Sequence, residues 1–372
     1  MKGSDLTVVI PTYRRPRLLA RALLSVIEQQ VPGLRIRVLD NASGDETARV
    51  VGELGRRQPI EYVCHPTNLG CSANIQHAIQ SIETPYGCIL NDDDLQLPGL
   101  VSAALETLPA HPTAGAFCGR TLVYHVASKA SMRVQGTSWQ PGFYRAGQAT
   151  GHMVREHFTP TGVVFATPAL QGARFTWGDM EMMARFAEQH DFVVSDRIFG
   201  VFAVHARSWS SSHTPEEDRR ASLRRLQEYL QLETLSPDDR AEAFWRTASE
   251  LVNSQLGYAL HAILHGERTP PARRALASAA SLAGALDTER LSLGERFQRA
   301  GIARVAGLGA GPLSGAAVLA LRGISRIAGT LDRFTVEPRR STEAERAALG
   351  HIAALDRRAE ALFEGLVGGD AA

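Results

Sequence analysis

The sequence predicts an α/β domain, a sheet flanked by helices, followed by a helical C-terminal domain. Three observations carry this. Short apolar, β-branched runs alternate with amphipathic segments over residues 6–108. Polar and acidic clusters recur where those runs end. Beyond residue 212 the pattern turns helical and stays so. Strands joined by helices argue for a mainly parallel sheet covered on both faces, because a parallel connection needs a crossover long enough to hold a helix.

The elements follow in order. Leu6 to Ile10 is a β-branched run that ends at Pro11. Pro16 opens a helix at a position where its missing N–H costs nothing, and Leu18, Leu19, Ala22, Leu23, Val26 and Ile27 then share one face. Arg35 to Leu39 is the second strand, Asp45 to Arg57 the second helix and Ile60 to Cys64 the third strand. Asn68 to Ser81 reads as a helix, Tyr86 to Leu90 as a fourth strand, and Leu97 to Leu108 as a helix with Pro98 near its first turn. Gly115 to Val126 and Gly162 to Thr167 are strand-like and flank a loop-rich stretch. Asp179 to His190 returns to helix, and Phe192 to Ser195 and Phe199 to Val204 are two short strands. The expected domains are therefore residues 1–212 and 213–372, the second interrupted at Thr269-Pro270-Pro271 and Val336-Glu337-Pro338. Its last helix is announced by Thr342-Glu343-Ala344-Glu345, a capping box. Behind it Ala348, Ile352, Leu355, Ala359, Leu362 and Leu366 form a stripe that must be buried, either on the chain's own domain or in a homodimer seam.

Composition bounds the function. Lys and Arg number 40 against 39 Asp and Glu, a net charge of +1, so no global field draws nucleic acid or an anionic membrane. The four cysteines, Cys64, Cys71, Cys88 and Cys118, form no CxxC pair and read as reduced, mostly core thiols. The N-terminus lacks the charged and apolar segments of a signal peptide, and the most apolar stretch, Ala303 to Ile327, is broken by Pro312, glycines and arginines. It reads as a buried helical hairpin in a cytoplasmic protein, with a peripheral seat on the inner membrane face as the second option.

Four clusters sit at predicted strand ends, where open α/β sheets bind their ligands. They are Pro11-Thr12-Tyr13, Asp40-Asn41-Ala42-Ser43, Asn68-Leu69-Gly70 and Asn91-Asp92-Asp93-Asp94. Each of the first three also serves as an ordinary turn or helix cap. The last is the most specific: three adjacent carboxylates repel one another, and a hard divalent cation relieves that cost. There is no G-x-G-x-x-G after the first strand and no G-x-x-x-x-G-K-[ST], which excludes a nicotinamide dehydrogenase and a P-loop hydrolase. A nucleotidyltransferase and a non-catalytic nucleotide-binding module of the same fold remain as readings.

These clusters, in this order and spacing and with Pro98 behind them, resemble the family 2 glycosyltransferases over roughly residues 4–212. The resemblance implies a GT-A-like mixed sheet, and a transferase that moves a sugar from a nucleoside-diphosphate sugar to an acceptor hydroxyl with inversion and a divalent metal, Mn²⁺ or Mg²⁺. A UDP-sugar is the favoured donor and a dTDP-sugar the next. It implies that Pro11, Thr12, Tyr13, Asp40, Asn68 and Asp92 line the nucleotide site, and that Asp93 holds the metal. Gly172, Phe175 and Gly178-Asp179-Met180-Glu181, followed by Arg185, resemble the segment carrying the family's base, which falls on Asp179; many members have Glu-Asp where this chain has Gly178-Asp179. His205, in the closing segment Phe202-Ala203-Val204-His205 before Ser208 to Ser211, is placed near the metal or diphosphate. The acceptor, a saccharide, lipid-linked sugar, protein or small molecule, is not indicated, and Gly119 to Pro160, where it would bind, matches no motif.

Overall fold

The computed structural model describes residues 2–173, 178–205, 208, 215–247 and 341–368. Phe175, the two Pro-containing breaks, most of the Ser208–Ser212 run and the Ala303–Ile327 stretch lie outside the described residues. The chain divides into two compact units, Met1–Ser211 with Leu232–Ser236 and Ser341–Ala372, and Ser212–Gln231 with Pro237–Arg340.

The first unit is built on β1 (Leu6–Thr12), α1 (Pro16–Ile27), β2 (Arg35–Asp40), α2 (Thr47–Gly55), β3 (Ile60–Cys64), α3 (Cys71–Gln80), β4 (Tyr86–Ile89), β5 (Leu95–Gln96) and α4 (Leu100–Ala110). It continues through β6 (Ala114–His125), β7 (Ala130–Gln135), β8 (Gly142–Tyr144), α5 (Thr150–Arg155), β9 (Val163–Ala166), α6 (Thr167–Gly172), α7 (Asp179–Gln189) and β10 (Asp191–Val204). Of the second unit, α8 (Pro215–Leu230) is described. The last helix, α9 (Glu343–Gly368), belongs to the first unit.

The strands make one mixed sheet in the order β3-β2-β1-β4-β9-β6-β10-β5, with β7 on β6 and β8 on β10. β1, β2, β3 and β4 are parallel, as the alternating pattern requires. β9 then runs antiparallel to both β4 and β6. Leu6, Val8, Ile10, Leu23 and Val38 are sealed in the core on the α1 side, while Val9, Ile79, Phe165 and Phe186 form the core on the other face. Both faces are thus covered, which is why the strands read as continuous apolar runs.

The structure departs from expectation in three places. Residues 191–204 form one strand, not two: its register against β6 shifts between Val194 and Ile198, so the polar Ser195-Asp196-Arg197 bulges outward without ending the pairing. The cysteines divide evenly, Cys88 and Cys118 buried, Cys64 and Cys71 exposed. And α9 groups with residues 1–211 rather than with the helical region that precedes it. The reason is its stripe: Ala348, Ile352, Leu355 and Ala359 are buried in the α1-side core, with Leu362 and Leu366 packed against it. Ion pairs fix the register, Arg21 to Asp356 at 2.6 Å and Arg17 to Glu360 at 2.7 Å. The capping box forms as read: the Glu345 N–H donates to Thr342 Oγ1 at 3.2 Å, and the Thr342 N–H to Glu345 Oε2 at 2.8 Å. The apolar face of α9 is thus packed on its own domain.

Candidate active site

The carboxyl ends of β1, β2, β3 and β4 converge because their registers align: Thr12 pairs with Asp40, Asp40 with Cys64, and Val9 with Ile89. The turn after β4 therefore emerges beside Thr12, and the three parallel loops meet along one edge.

The acidic turn, Asn91 to Asp94, distributes its charges unequally. Asp92 is buried and accepts a hydrogen bond from Thr12 Oγ1 at 2.7 Å. Arg15 Nη1 reaches Asp92 Oδ1 at 3.2 Å and Asp93 Oδ2 at 2.9 Å. Burial and the neighbouring Asp93 charge push Asp92 up to about 6, against the pull of Arg15 and Thr12. Asp93 is partly open and meets His205 Nε2 at 3.2 Å, delivered by the end of β10. Asp94 points inward, accepting from Thr161 Oγ1 at 2.6 Å and from the Ala203 N–H at 2.9 Å. Burial first, and then Asp93, raise it well above the ordinary carboxylate value. Asp94 is thus a strut between β4, β9 and β10, while Asp92 and Asp93 both meet Arg15.

The loops beside this turn are tied to each other. Asp40 is buried; its Oδ1 accepts the N–H of Ser43 at 3.0 Å and its Oδ2 accepts Tyr62 Oη at 2.6 Å. Asn41 Nδ2 donates to Asn68 Oδ1 at 2.8 Å, and its own Oδ1 accepts the Leu69 N–H at 2.7 Å. Gly70 takes φ +86° to open α3, a region that disfavours side chains. Two residues at this edge also carry positive φ without being glycine, Arg14 at 53° and Ala42 at 63°, and the Arg14 N–H donates to Ser43 Oγ at 2.8 Å. Such strain persists only where neighbours over-determine the backbone, and it clusters at binding loops. Pro11 and Thr12 are buried and Tyr13 half-buried, and a cavity of about 410 Å³ opens beside Tyr13 and Arg15, walled by Glu46 and Phe363.

Asp179 opens α7 and is a third exposed at its side chain. Its Oδ2 lies 3.6 Å from His157 Nε2. Burial works to raise its pKa, but the His157 imidazole and the backbone N–H groups of Asp179 and Met180 outweigh burial and hold it below the ordinary value. Gly178 is not a bend: its φ of −167° is extended. It is small for another reason, because a Cβ there would lie 2.6 Å from the Glu181 carboxylate.

The structure brings Thr12, Asp92, Asp93 and His205 into direct contact, and joins Asp40, Asn41 and Asn68 in a neighbouring network. Asp179 sits apart on α7. Sequence reasoning missed Arg15, Tyr62, His157 and Thr161. Each is an isolated residue whose partner lies 22 or more positions away, so no local spacing marks it.

Residues 7–171 match the model described as glycosyl transferase family 2. A 103-residue stretch, 27% of this chain, is 30% identical to the GalNAc(5)-diNAcBac-PP-undecaprenol beta-1,3-glucosyltransferase of Campylobacter jejuni. A 107-residue stretch, 28% of the chain, is 23% identical to the processive diacylglycerol beta-glycosyltransferase of Mycoplasma pneumoniae. These matches span 33% and 31% of the two relatives. Among solved structures, S. aureus TarS 1–349 in complex with UDP-GlcNAc superposes with a TM-score of 0.55 over 89% of this chain and 92% of that one, at 14% identity, a likeness of fold. The part of the chain that carries the acidic turn and the parallel loops around it is thus the part that is similar to glycosyl transferase family 2.

Proposed function

We propose that this protein is an inverting glycosyltransferase that uses a UDP-sugar, or a dTDP-sugar, and a divalent metal to glycosylate an acceptor hydroxyl. The observation that carries it is the unequal acidic turn. Asp94 is spent on the fold, whereas Asp92 and Asp93 are both drawn to Arg15, and Asp93 also meets His205. A turn built only as a cap would not present two carboxylates to a distant arginine and histidine.

Among the described residues no group of three or more His, Cys, Asp or Glu converges. Asp93 Oδ2 and His205 Nε2 do converge, at 3.2 Å. Metal bonds of about 2.0–2.1 Å fit two ligands so separated, and a hard cation that keeps water and substrate phosphate oxygens needs few protein ligands. Asp93 and His205 would hold it, and it would neutralise the charge of the departing diphosphate. Thr12 and Arg15 fix the two carboxylates in place. Thr12, Tyr13, Asp40, Asn68 and Asp92 would receive the nucleotide. Asp179, kept ionised, would take the acceptor's proton.

A second reading keeps the transferase but not the metal: Arg15 already supplies a cation to both Asp92 and Asp93. The relatives named for undecaprenol-linked and diacylglycerol acceptors suggest trying lipid-linked saccharides first, which would bring the protein to a membrane surface. No described helix is long and apolar enough to cross one. The test is release of nucleoside diphosphate from a panel of nucleotide sugars with Mn²⁺, with Mg²⁺ and with excess EDTA. Release that depends on one sugar and on metal supports the first reading. Persistence in EDTA supports the second, and release from no donor at all rejects both.

A further inference from the structure

The cavity of about 410 Å³ beside Tyr13 is walled from opposite ends of the chain. One wall is the passage from β1 into α1, with Tyr13, Arg14, Arg17 and Leu18. Glu46, just before α2, makes a second wall, and Phe363 of α9 a third. All of them belong to the first compact unit. The volume is that of a small-molecule site.

The walls are ordered by contacts of their own. Arg17 Nη1 donates to Glu360 Oε1 at 2.7 Å, and its guanidinium carbon lies 4.6 Å from the centre of the Phe363 ring. Arg49, on α2, donates to the Leu366 carbonyl at 2.7 Å, which ties the end of α9 to the same corner. Across the cavity the Arg14 guanidinium carbon lies 5.2 Å from the centre of the Tyr13 ring, and Arg14 Nε donates to the Ser43 carbonyl at 3.2 Å. Arg14 holds this place at a φ of 53°, strain of the kind that persists at ligand clamps. Phe363 is buried in the α1-side core and still lines the cavity.

The lining selects an occupant by its chemistry. Two aromatic rings, each with an arginine over it, suit a planar group that stacks on ring or guanidinium. The same arginines suit anionic oxygens, and the Glu46 carboxylate accepts from hydroxyl groups. A ligand that is planar, anionic and hydroxylated at once meets all three demands, as a nucleoside diphosphate does. A lipid tail would leave the arginines and Glu46 unmet in a desolvated site. An inorganic anion would leave the rings unused.

We propose that this cavity seats the nucleoside part of the sugar donor, and that Phe363, delivered by α9, is a binding residue of that site. This rests on the reading of Tyr13 as part of the nucleotide site, and adds to it Arg14, Arg17, Glu46 and a wall from the last helix. Arg15 borders the cavity and also reaches Asp92 and Asp93, so a diphosphate that leaves the cavity past Arg15 arrives at the acidic turn.

The test is equilibrium binding of UDP and of dTDP to the full chain by calorimetry with Mn²⁺ present, which needs no turnover. In Phe363→Ala, UDP affinity should fall by about 10-fold, the scale of one lost aromatic contact. Phe363→Leu keeps the apolar packing and removes the flat face, and should lose about 3-fold on the same scale. Leu362→Ala is the control: Leu362 packs against the same core and does not line the cavity. That variant should melt at lower temperature and bind UDP as the parent does. In transfer assays Phe363→Ala should raise the donor KM and leave kcat near that of the parent. Parental affinity in both Phe363 variants overturns the proposal. An equal loss in Leu362→Ala overturns it too, because α9 would then act only through the fold. If the parent binds neither UDP nor dTDP, the nucleotide reading itself falls, and this inference with it.

Discussion

The acidic turn and the start of α7 are opposite solutions to holding a carboxylate. In the turn three carboxylates follow one another; burial first and then the Asp93 charge raise both neighbours of Asp93, Asp92 up to about 6. The cost is offset from outside, by Arg15 on α1's threshold, which reaches both Asp92 and Asp93. At α7 a single carboxylate stands alone, and the partial positive charge of a helix N-terminus with His157 holds it below its ordinary value. The difference teaches that residue type says little about role here. In the turn one arginine is shared by two carboxylates, whereas Asp179 meets a helix N-terminus and an imidazole.

The sharpest way to break the comparison is Asp93→Ala. It removes the oxygen shared by Arg15 and His205, and on the scale of transition-state charge stabilisation kcat/KM should fall by about 10³-fold, with loss of Mn²⁺ binding by calorimetry. Unchanged metal affinity would show that Asp93 is not a ligand.

Asp179→Asn should cost less in binding and comparably in rate. If Asp179 acts on the acceptor as proposed, turnover should drop by at least about 10²-fold, while nucleotide affinity stays near that of the parent. A cap alone would lose only about 1 kcal/mol of stability and keep its activity, so a melting curve beside the kinetics separates the two.

Asp94→Asn sharpens the contrast within the turn. It leaves the Thr161 and Ala203 donors facing one oxygen, and should lower stability by about 1–3 kcal/mol in denaturant titration. Metal affinity should not follow; if it does, Asp94 belongs with Asp93 rather than with the fold.

The smallest effect is expected at Glu156, just before His157. Its half-buried carboxylate accepts three backbone N–H groups, and these, with Ser138 Oγ, lower its pKa despite burial. A depressed carboxylate adds stability above its unfolded value and loses it as pH falls through the folded one. The parent should therefore lose up to about 1 kcal/mol of stability, after discounting for solvent screening, as pH drops below the ordinary glutamate range. Glu156→Gln should lack that part of the acid slope. Parallel melting curves for the two proteins, at pH 7 and in acid, would show otherwise.

Legibility followed the range of the interactions. β3 was read to the residue and α1 began at the Pro16 that announced it, because each is specified by its own apolar spacing and end signals. The α9 capping box was equally plain, being a contact between residues three apart. The stretch between Val126 and Pro160 was not resolved into elements, since β7 and β8 are short and mostly exposed, and what orders them comes from elsewhere: β6, β10 and the Glu156 carboxylate. Splitting β10 was a related misreading, in which a polar bulge looks like a strand end when the partner strand is unseen.

The sequence by itself determined the α/β alternation, the parallel loops that carry Thr12, Asp40 and Asn68, the acidic turn and the stripe of α9, because periodicity and short-range spacing encode which faces must be buried and where strands must end. Only the tertiary structure decided which of three consecutive aspartates serves the fold, that Arg15 and His205 meet at Asp93, that α9 seals the domain opened by α1, and that His157 stands at Asp179. Those pairings join residues far apart in the chain, and burial and charge at a site depend on neighbours that no local pattern records.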